Sequence, residues 1–374
     1  MEKGLPGRPG AWSTAARIGK VKDKTIHDID LTSASAIGDE QYLMLRVLWQ
    51  RKHYVHLDLA DFGLEKLNQE AADMLKTYRS WSNYCNSFSD KLDEGTFALA
   101  RFYQKQIPRM PQDAEFRPNV VVSPIAHRTR GRTKNLEISV SKLSFETPTE
   151  PPGTPIPGFD EFDDTLSEDT PPGQRSYGPV ELLNLNYPKT KDEQIVNAAL
   201  IDFLNAFIIH FGFPVYWTLY RKSFTANFKN GSFEARTDGC LESVGSKIYA
   251  IVEAKPMLRF KELDRISMQE AAEMVAWIKC DPDPDDFGSS CGRRILISQD
   301  RHEIYLTFAE YSADYVKYLN GTLGPNESPG FLMMYEFGPW DNTERVKDMK
   351  HLSSILLAIV LRARAEYGKL ESVN

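Results

Sequence analysis

A proline-rich and acidic stretch in the middle of the chain restricts most strongly how this sequence can fold. Residues 146–174 contain seven prolines together with a cluster of acidic side chains. A segment of this composition cannot bury enough apolar surface to offset the entropy cost of ordering its backbone. We therefore predict a disordered linker over residues 108–179, with ordered structure after it.

The part of the chain before this linker divides into two segments. Residues 1–37 are polar, with scattered glycine, lysine and arginine, which predicts a disordered N-terminus. Residues 38–107 carry apolar side chains at three- and four-residue spacings, which is typical of amphipathic helices. We expect this second segment to be a helical accessory region that packs on the rest of the protein or binds a partner.

The part after the linker alternates between helical and extended patterns. In chain order, the runs are a helix at DEQIVNAALIDFLNAFIIHF, strands at VYWTLYRKSF, SFEARTDGCLE and KIYAIVEAKP, a helix at ISMQEAAEMVAWIKC, two strands in RRILISQDRHEIYLTFAEY, a strand at FLMMYEFG and a closing helix at DNTERVKDMKHLSSILLAIVLRARAEY. This alternation predicts an α/β domain over residues 180–374.

Composition and charge exclude several classes of protein. The chain has 374 residues, 41% of them hydrophobic, and a formal net charge of −7. It can therefore bury a core, but it is not of the basic type that coats duplex nucleic acid. Its four cysteines form no C-x-x-C pair, which disfavours a zinc site and fits a reducing compartment. Without a signal peptide or a bilayer-length apolar run, we expect an intracellular protein of the nucleus or cytoplasm, neither secreted nor membrane-bound.

Two charged residues end the strand pattern KIYAIVEAKP. Glu253 and Lys255 are two residues apart, so they point to the same face of the strand. Asp238 lies on the preceding strand, and a turn at residues 242–246 would pair the two strands and bring Asp238 close to Glu253. Two adjacent carboxylates repel each other, which a hard divalent cation such as Mg²⁺ relieves. Lys255 would then lie beside the metal-bound water.

The order of these elements, with Asp238 and then Glu253-Ala254-Lys255, resembles the PD-(D/E)XK nuclease superfamily. The runs ARTDGCLE, AIVEAKP, ISMQEAAEMVAWI and LISQDRHEIYLTFAEY are similar to a fungal branch described as PD-(D/E)XK nuclease-like. The resemblance covers about residues 190–370. It implies a restriction-endonuclease-like core, a mixed central sheet flanked by helices, and hydrolysis of nucleic-acid phosphodiesters, DNA more than RNA, with Mg²⁺ or Mn²⁺.

The resemblance also assigns roles to individual residues. Asp238, Glu253 and the backbone carbonyl of Ala254 would be the metal ligands, and Lys255 the catalytic lysine. The family often adds a glutamate on the first helix, for which Glu193 fits because it shares a face with the apolar stripe of that helix. It often adds a glutamine on the helix after the lysine, which Gln269 matches. Thr237 replaces the proline of the family name, which is a small departure.

Plainer interpretations stay open for most of these residues. Asp238-Gly239 could be a hairpin or bulge signal, and the charges of Glu253 and Lys255 could mark the solvated face of an edge strand. Glu193 could serve only the helix dipole.

Two further pairs of alternatives concern the helix after the lysine and the basic residues. Gln269 could be an ordinary exposed residue, while Glu270 fits a capping box with Ser267. The basic residues that flank the motif could contact phosphates or be solvated; they are Arg221, Lys222, Arg236 and Arg259.

The rival to a nuclease is a protein that keeps this fold without catalysis, as a protein or nucleic-acid interaction module. Residues 180–374 carry 22 basic and 27 acidic side chains, a balance of −5 that favours the rival. The complete set of Asp238, Glu253 and Lys255 favours the enzyme, because a scaffold has no need of those three residues.

Overall fold

A seven-stranded mixed β-sheet forms the centre of the structure, a computed structural model that describes residues 4–89, 91–109, 192–282 and 291–371. These residues all belong to one compact unit. The strands are β1 Val47–His53, β2 Val215–Thr218, β3 Ser223–Asn227, β4 Ser232–Arg236, β5 Gly239–Ser243, β6 Ile248–Lys255, β7 Gly292–Asp300, β8 Glu303–Tyr311 and β9 Leu332–Asp341. The sheet has the order β1-β9-β8-β7-β6-β5-β2, while β3 and β4 form a separate two-stranded sheet.

Helices cover both faces of the sheet. They are α1 Pro9–Ile18, α2 Asp39–Leu45, α3 Glu65–Thr77, α4 Arg79–Asn86, α5 Ala98–Arg109, α6 Glu193–Ala206, α7 Leu263–Cys280, α8 Ala313–Asn320 and α9 Val346–Glu371. Val252 of β6 packs in one core with α6, α9 and α3, whereas its neighbour Ile251 packs in another with α7, α2 and α8. The alternation of successive side chains thus separates two hydrophobic cores, and the architecture is a three-layer α/β/α arrangement.

The strands that carry the candidate site meet near the middle of the sheet. β6 lies between β5, which is antiparallel to it, and β7, which is parallel to it. A parallel pair needs a long crossover connection, and α7 supplies it between β6 and β7. Because β6 is a central strand, the interpretation of Glu253 and Lys255 as the solvated face of an edge strand is wrong.

The predicted α/β class is confirmed, and its elements after residue 192 occur in the predicted order, with two strand patterns divided. Each of these two patterns was predicted to be one strand. VYWTLYRKSF contains β2 of the central sheet and the start of β3 of the small sheet, and SFEARTDGCLE contains β4 of the small sheet and most of β5 of the central sheet. The short helix α8 was not predicted. The expected linker lies outside the described residues, except for the last two residues of α5.

The predictions for the N-terminal segments need correction. Residues 1–37 were expected to be disordered, but α1 lies in them, and Trp12 and Ile26 are buried in the core on the α7 side of the sheet. Residues 38–107 were expected to be a helical accessory region, yet they contribute β1, which pairs in parallel with β9 of the central sheet. This segment therefore completes the sheet. In the part of the chain that the structure describes, no helix is long and apolar enough to cross a membrane.

Candidate functional site

Asp238 lies where the chain passes from the small sheet into the central sheet. β4 ends at Arg236 and β5 begins at Gly239, so Asp238 is in the connection and not on a strand as predicted. A residue with a side chain does not fit at position 239, because its Cβ atom would lie 2.5 Å from the carbonyl oxygen of Thr218 on β2. The Asp238 amide donates to the Val252 carbonyl at 2.9 Å, which fixes the connection against β6.

Asp238 reaches β6 through its side chain as well. β5 begins opposite Val252, so its backbone ladder stops two residues before Ala254. The amide of Ala254 donates instead to Oδ2 of Asp238, at 3.1 Å. On the other side, the Asn197 side-chain amide of α6 donates to the Asp238 carbonyl at 3.0 Å. In a strand, the N–H and C=O of one residue face the same neighbour, so the Ala254 carbonyl is directed toward Asp238.

Glu253 and Lys255 share a face, as the strand spacing predicted. Nζ of Lys255 lies 2.5 Å from Oε1 of Glu253, and the two side chains are 15% and 3% exposed. Burial of this depth is costly for each charge alone, so the two side chains depend on each other.

Arg221 and Glu193 lie on the solvent side of Asp238. Nη2 of Arg221 is 3.1 Å from Oδ1 of Asp238 and 3.7 Å from Oε1 of Glu193. Glu193 is the first residue of α6, directly after its N-cap Asp192. It therefore fits the helix-dipole interpretation and also faces the site, which leaves both interpretations open.

Gln269 joins the site from α7 and brings a residue that the sequence analysis missed. Its Nε2 donates to Oε1 of Glu253 at 2.7 Å and to Oε1 of Glu273 at 2.8 Å. Glu273 is fully buried. The interpretation of Gln269 as an ordinary exposed residue is therefore wrong. The i,i+4 spacing of Gln269 and Glu273 was the available signal, since both residues lie on one face of a helix.

The electrostatics of the cluster follow from burial. Burial raises the pKa of Glu253 to about 8, with Asp238 adding to the effect and Lys255 opposing it. Burial also raises the pKa of Glu273 well above its usual range, and Glu253 adds to this. For Lys255, burial lowers the pKa, but Glu253 and Glu273 outweigh it and raise the value above its ordinary range. The lysine therefore stays charged at neutral pH.

The donor set suits a hard divalent cation. Oε2 of Glu253 is buried and accepts no hydrogen bond from any residue that the structure describes, and Oδ1 of Asp238 contacts the half-exposed Arg221. Two carboxylates and the Ala254 carbonyl offer oxygen ligands of the kind that Mg²⁺ prefers, with water to complete the shell. Among the described residues, no group of three or more His, Cys, Asp or Glu side chains is arranged to hold a metal ion.

Arg259 does not have the role expected from its position in the sequence. Its guanidinium is buried and bonds to Glu270 at 2.5 Å, to Asp300 at 2.6 Å and to Glu336 at 2.5 Å. All its donors are directed into the protein, so the prediction that Arg259 contacts phosphates is wrong. The predicted capping box of Ser267 and Glu270 is also wrong. α7 begins at Leu263, one turn before Ser267, so Glu270 lies inside the helix, where it is bound to Arg259.

The remaining predicted residues lie near the entrance of the site. Arg236 is exposed, and its Nε is 2.5 Å from Oε1 of Glu234. Lys222 is half-buried on the connection before β3, and its carbonyl accepts a hydrogen bond from Thr237. A cavity of about 250 Å³ leads to Gln269 and Glu273; its other lining residues are Ser33, Ala34, Ser35, Glu234 and Arg236. The N-terminal segment thus forms part of the entrance.

Fold and site together define an α/β protein with a buried carboxylate–lysine cluster at the carboxyl end of a central strand. Comparison with known proteins adds no family: no family model matches the chain, and no curated protein matches it.

Proposed function

We propose that this protein is a divalent-metal-dependent nuclease with a restriction-endonuclease-like core. The observation that carries the proposal is the convergence of Asp238, Glu253, Lys255 and Gln269 at one end of β6. These residues come from the connection between β4 and β5, from β6 and from α7, so sequence proximity alone does not bring them together. Perturbed carboxylates beside a lysine in a recess are typical of functional sites.

The order of elements around the site supports the same proposal. Helix α6 precedes the antiparallel strands β2, β5 and β6, and α7 then leads to β7, which is parallel to β6. The superfamily that the sequence resembles has the order helix, three strands, helix, strand. The small β3–β4 sheet is an insertion between β2 and β5.

Asp238, Glu253 and the Ala254 carbonyl would hold Mg²⁺ or Mn²⁺. The bound ion would polarise the scissile phosphate and lower the pKa of a bound water. Gln269 fixes the position of the Glu253 carboxylate, and Lys255 presents an ammonium beside it. Since Glu253 and Glu273 keep Lys255 protonated, its first role is to orient water and to neutralise charge that develops on the phosphate. Lys255 would act as a base only with the negative charge of Glu253 neutralised by a cation, because that charge keeps the lysine protonated.

A second candidate function is a non-catalytic interaction module. The observation that favours it is that Arg221 and Lys255 already contact Asp238 and Glu253, at 3.1 Å and 2.5 Å. A scaffold would keep these pairs permanently, whereas a nuclease has to exchange at least the contact of Arg221 with Asp238 when the metal binds.

Calorimetric titration with Mg²⁺ and Mn²⁺ tests the proposal, together with cleavage of labelled DNA and RNA. We expect the wild type to bind metal and cut, and Asp238→Asn and Glu253→Gln to lose both activities. Lys255→Ala is expected to bind metal but to cut nucleic acid at least about a hundredfold more slowly than the wild type. The matched control is Lys350→Ala, which alters an exposed lysine in the other Asp-x-Lys sequence of the chain, on α9. A folded wild type that neither binds metal nor cuts would favour the interaction module.

A further inference from the structure

Exposed apolar side chains flank the candidate site on two sides. Leu219 and Tyr220 lie in the connection between β2 and β3, and the Tyr220 side chain is 66% exposed. Phe260 lies on the single turn of 3₁₀ helix at Arg259–Lys261 and is 46% exposed. Singly exposed rings are common on protein surfaces, but rings that stack on bases have to be exposed in this way, and these two lie beside a polar recess.

Tyr220 is adjacent in the chain to a residue that contacts Asp238, and Phe260 is adjacent to a buried residue that bonds to the strand partner of Lys255. Tyr220 precedes Arg221, whose guanidinium contacts Asp238 at 3.1 Å. Phe260 follows Arg259, which bonds to Asp300, the partner of Lys255 in the register of β6 and β7. The two aromatic residues therefore border the carboxyl ends of the parallel strands, where ligands of open α/β sheets bind.

Three exposed arginines on the segments around the site are each paired with an acid in the part of the chain that the structure describes. The pairs are Arg221 with Asp238 and Glu193, Arg236 with Glu234, and Arg265 with Glu262. Duplex binding rests mainly on the neutralisation of many phosphates by basic side chains. Cations that are already neutralised by neighbouring carboxylates give little of that attraction.

The depth of the recess also disfavours a duplex. The side chains of Glu253 and Lys255 are 3% and 15% exposed, and Ser33–Ser35 line a cavity that is also lined by Gln269, the hydrogen-bond partner of Glu253. A phosphate on a single strand can enter such a recess alone, whereas a duplex brings its second strand with it. Unpaired bases also expose the faces that stack on aromatic side chains.

We infer that the substrate of this site is a single strand or a frayed end of nucleic acid, whose unpaired bases stack on Tyr220 and Phe260. The inference rests on the proposed nuclease function and adds the class of substrate. Stacking supplies the affinity, and the site requires few phosphate contacts. Binding is therefore only weakly dependent on salt.

Fluorescence polarisation with the full-length Lys255→Ala variant and Mg²⁺ tests the inference. The probes are a short fluorescein-labelled DNA strand without self-complementarity and the same strand in a blunt duplex, between about 50 and 200 mM salt. We expect the strand to bind at least about tenfold more tightly than the duplex. Adding Tyr220→Ala or Phe260→Ala to this variant should weaken strand binding about fivefold to a hundredfold, because each substitution removes the stacking of one base.

Two further variants separate stacking from general damage. Tyr220→Trp keeps an aromatic face and should retain affinity. Tyr216→Ala is the matched control, because Tyr216 is 40% exposed on β2 but pairs with Glu242, at the far end of β5 from Asp238. Affinity unchanged in both alanine variants, or equal binding of strand and duplex, would overturn the inference.

The outcomes also distinguish this inference from the function on which it rests. If the wild type cuts DNA with Mg²⁺ but treats strand and duplex alike, only the choice of substrate is wrong. If the protein binds neither probe and cuts neither, the nuclease proposal fails and the stacking surface fails with it.

Discussion

At the scale of single residues, Glu253 is the group on which the candidate site depends. It accepts hydrogen bonds from Lys255 and Gln269 through one oxygen, while its other oxygen is buried without a partner among the described residues. The carboxylate is thus held in position and still has an unused acceptor. Such a group lowers stability in the empty site, and the cation of the proposed function would offset that cost.

The raised pKa of Glu253 predicts a dependence of stability on pH. Because the pKa of Glu253 is about 8 in the folded protein and its ordinary value is 4.5, the contribution to stability is fully present below about 4.5 and is lost as pH rises through about 8. Without metal, we expect the free energy of unfolding to fall more steeply between these pH values in the wild type than in Glu253→Gln. Urea unfolding at a series of pH values measures this, and identical slopes would contradict it.

Sequence alone predicted most of the site residues, because strand and helix periodicity determine which side chains share a face. Glu253, Lys255 and Gln269 followed from spacing and from the resemblance. Glu273 did not, because a glutamate on a helix is ordinarily exposed and nothing local marks its burial. Arg259 was misplaced because closeness in sequence to the motif does not reveal whether a guanidinium faces solvent or the core.

At the scale of elements, Arg259 ties together four parts of the fold. Its three carboxylate partners lie on α7, β7 and β9, while Arg259 itself lies on the 3₁₀ turn after β6. Arg51 of β1 adds a 3.6 Å contact to Glu336. This buried network supports the site, because Glu270 follows Gln269 in α7 and Asp300 is paired in register with Lys255.

Loss of this arginine should be strongly destabilising. Arg259→Met leaves three buried carboxylates without their cation, and breaking a buried ion pair in this way costs about 3–5 kcal/mol. Urea unfolding measures the change, with Arg265→Met as control. Arg265 is exposed and paired with Glu262 at 3.2 Å, so its loss should cost no more than about 1 kcal/mol. Equal losses in the two variants would mean that the buried network does not hold the fold.

The elements that the sequence predicted are those whose pattern is local. Helices α6, α7 and α9 and strands β6 to β9 have clear periodicity and were expected. The break at Thr237–Asp238 was not, because it reflects a change of partner from β3 to β6 and not a turn signal. β1 was read as helix because its short apolar run contains too few residues to distinguish the two periods.

At the scale of the whole molecule, one sheet is built from both sides of the long central segment. β1 comes from the N-terminal part of the chain and pairs along its whole length with β9 near the C-terminus. The N-terminal part also supplies residues of the site entrance, at Ser33–Ser35. The sequence prediction of separate domains failed here because strand pairing between distant segments leaves no local trace.

Removal of the N-terminal part should therefore prevent folding. A chain that begins at Tyr54 lacks Val47, Leu48 and Trp49, which are buried beside β9. Burial of such side chains contributes about 1.5–3 kcal/mol each, a large share of a total stability of ~5–15 kcal/mol. Size-exclusion chromatography and circular dichroism test this, with a chain that begins at Gly4 as control. A soluble, folded truncation would show that β1 is dispensable.

The pairing of β1 with β9 has a consequence for synthesis on the ribosome. Val47 is synthesised 285 residues before its partner Leu332, since 332 − 47 = 285. During that interval β1 is an apolar strand without its neighbour, and such unpaired edges are prone to aggregate. Nascent chains of this protein should therefore rely on chaperones that hold the first segment until the last strand arrives.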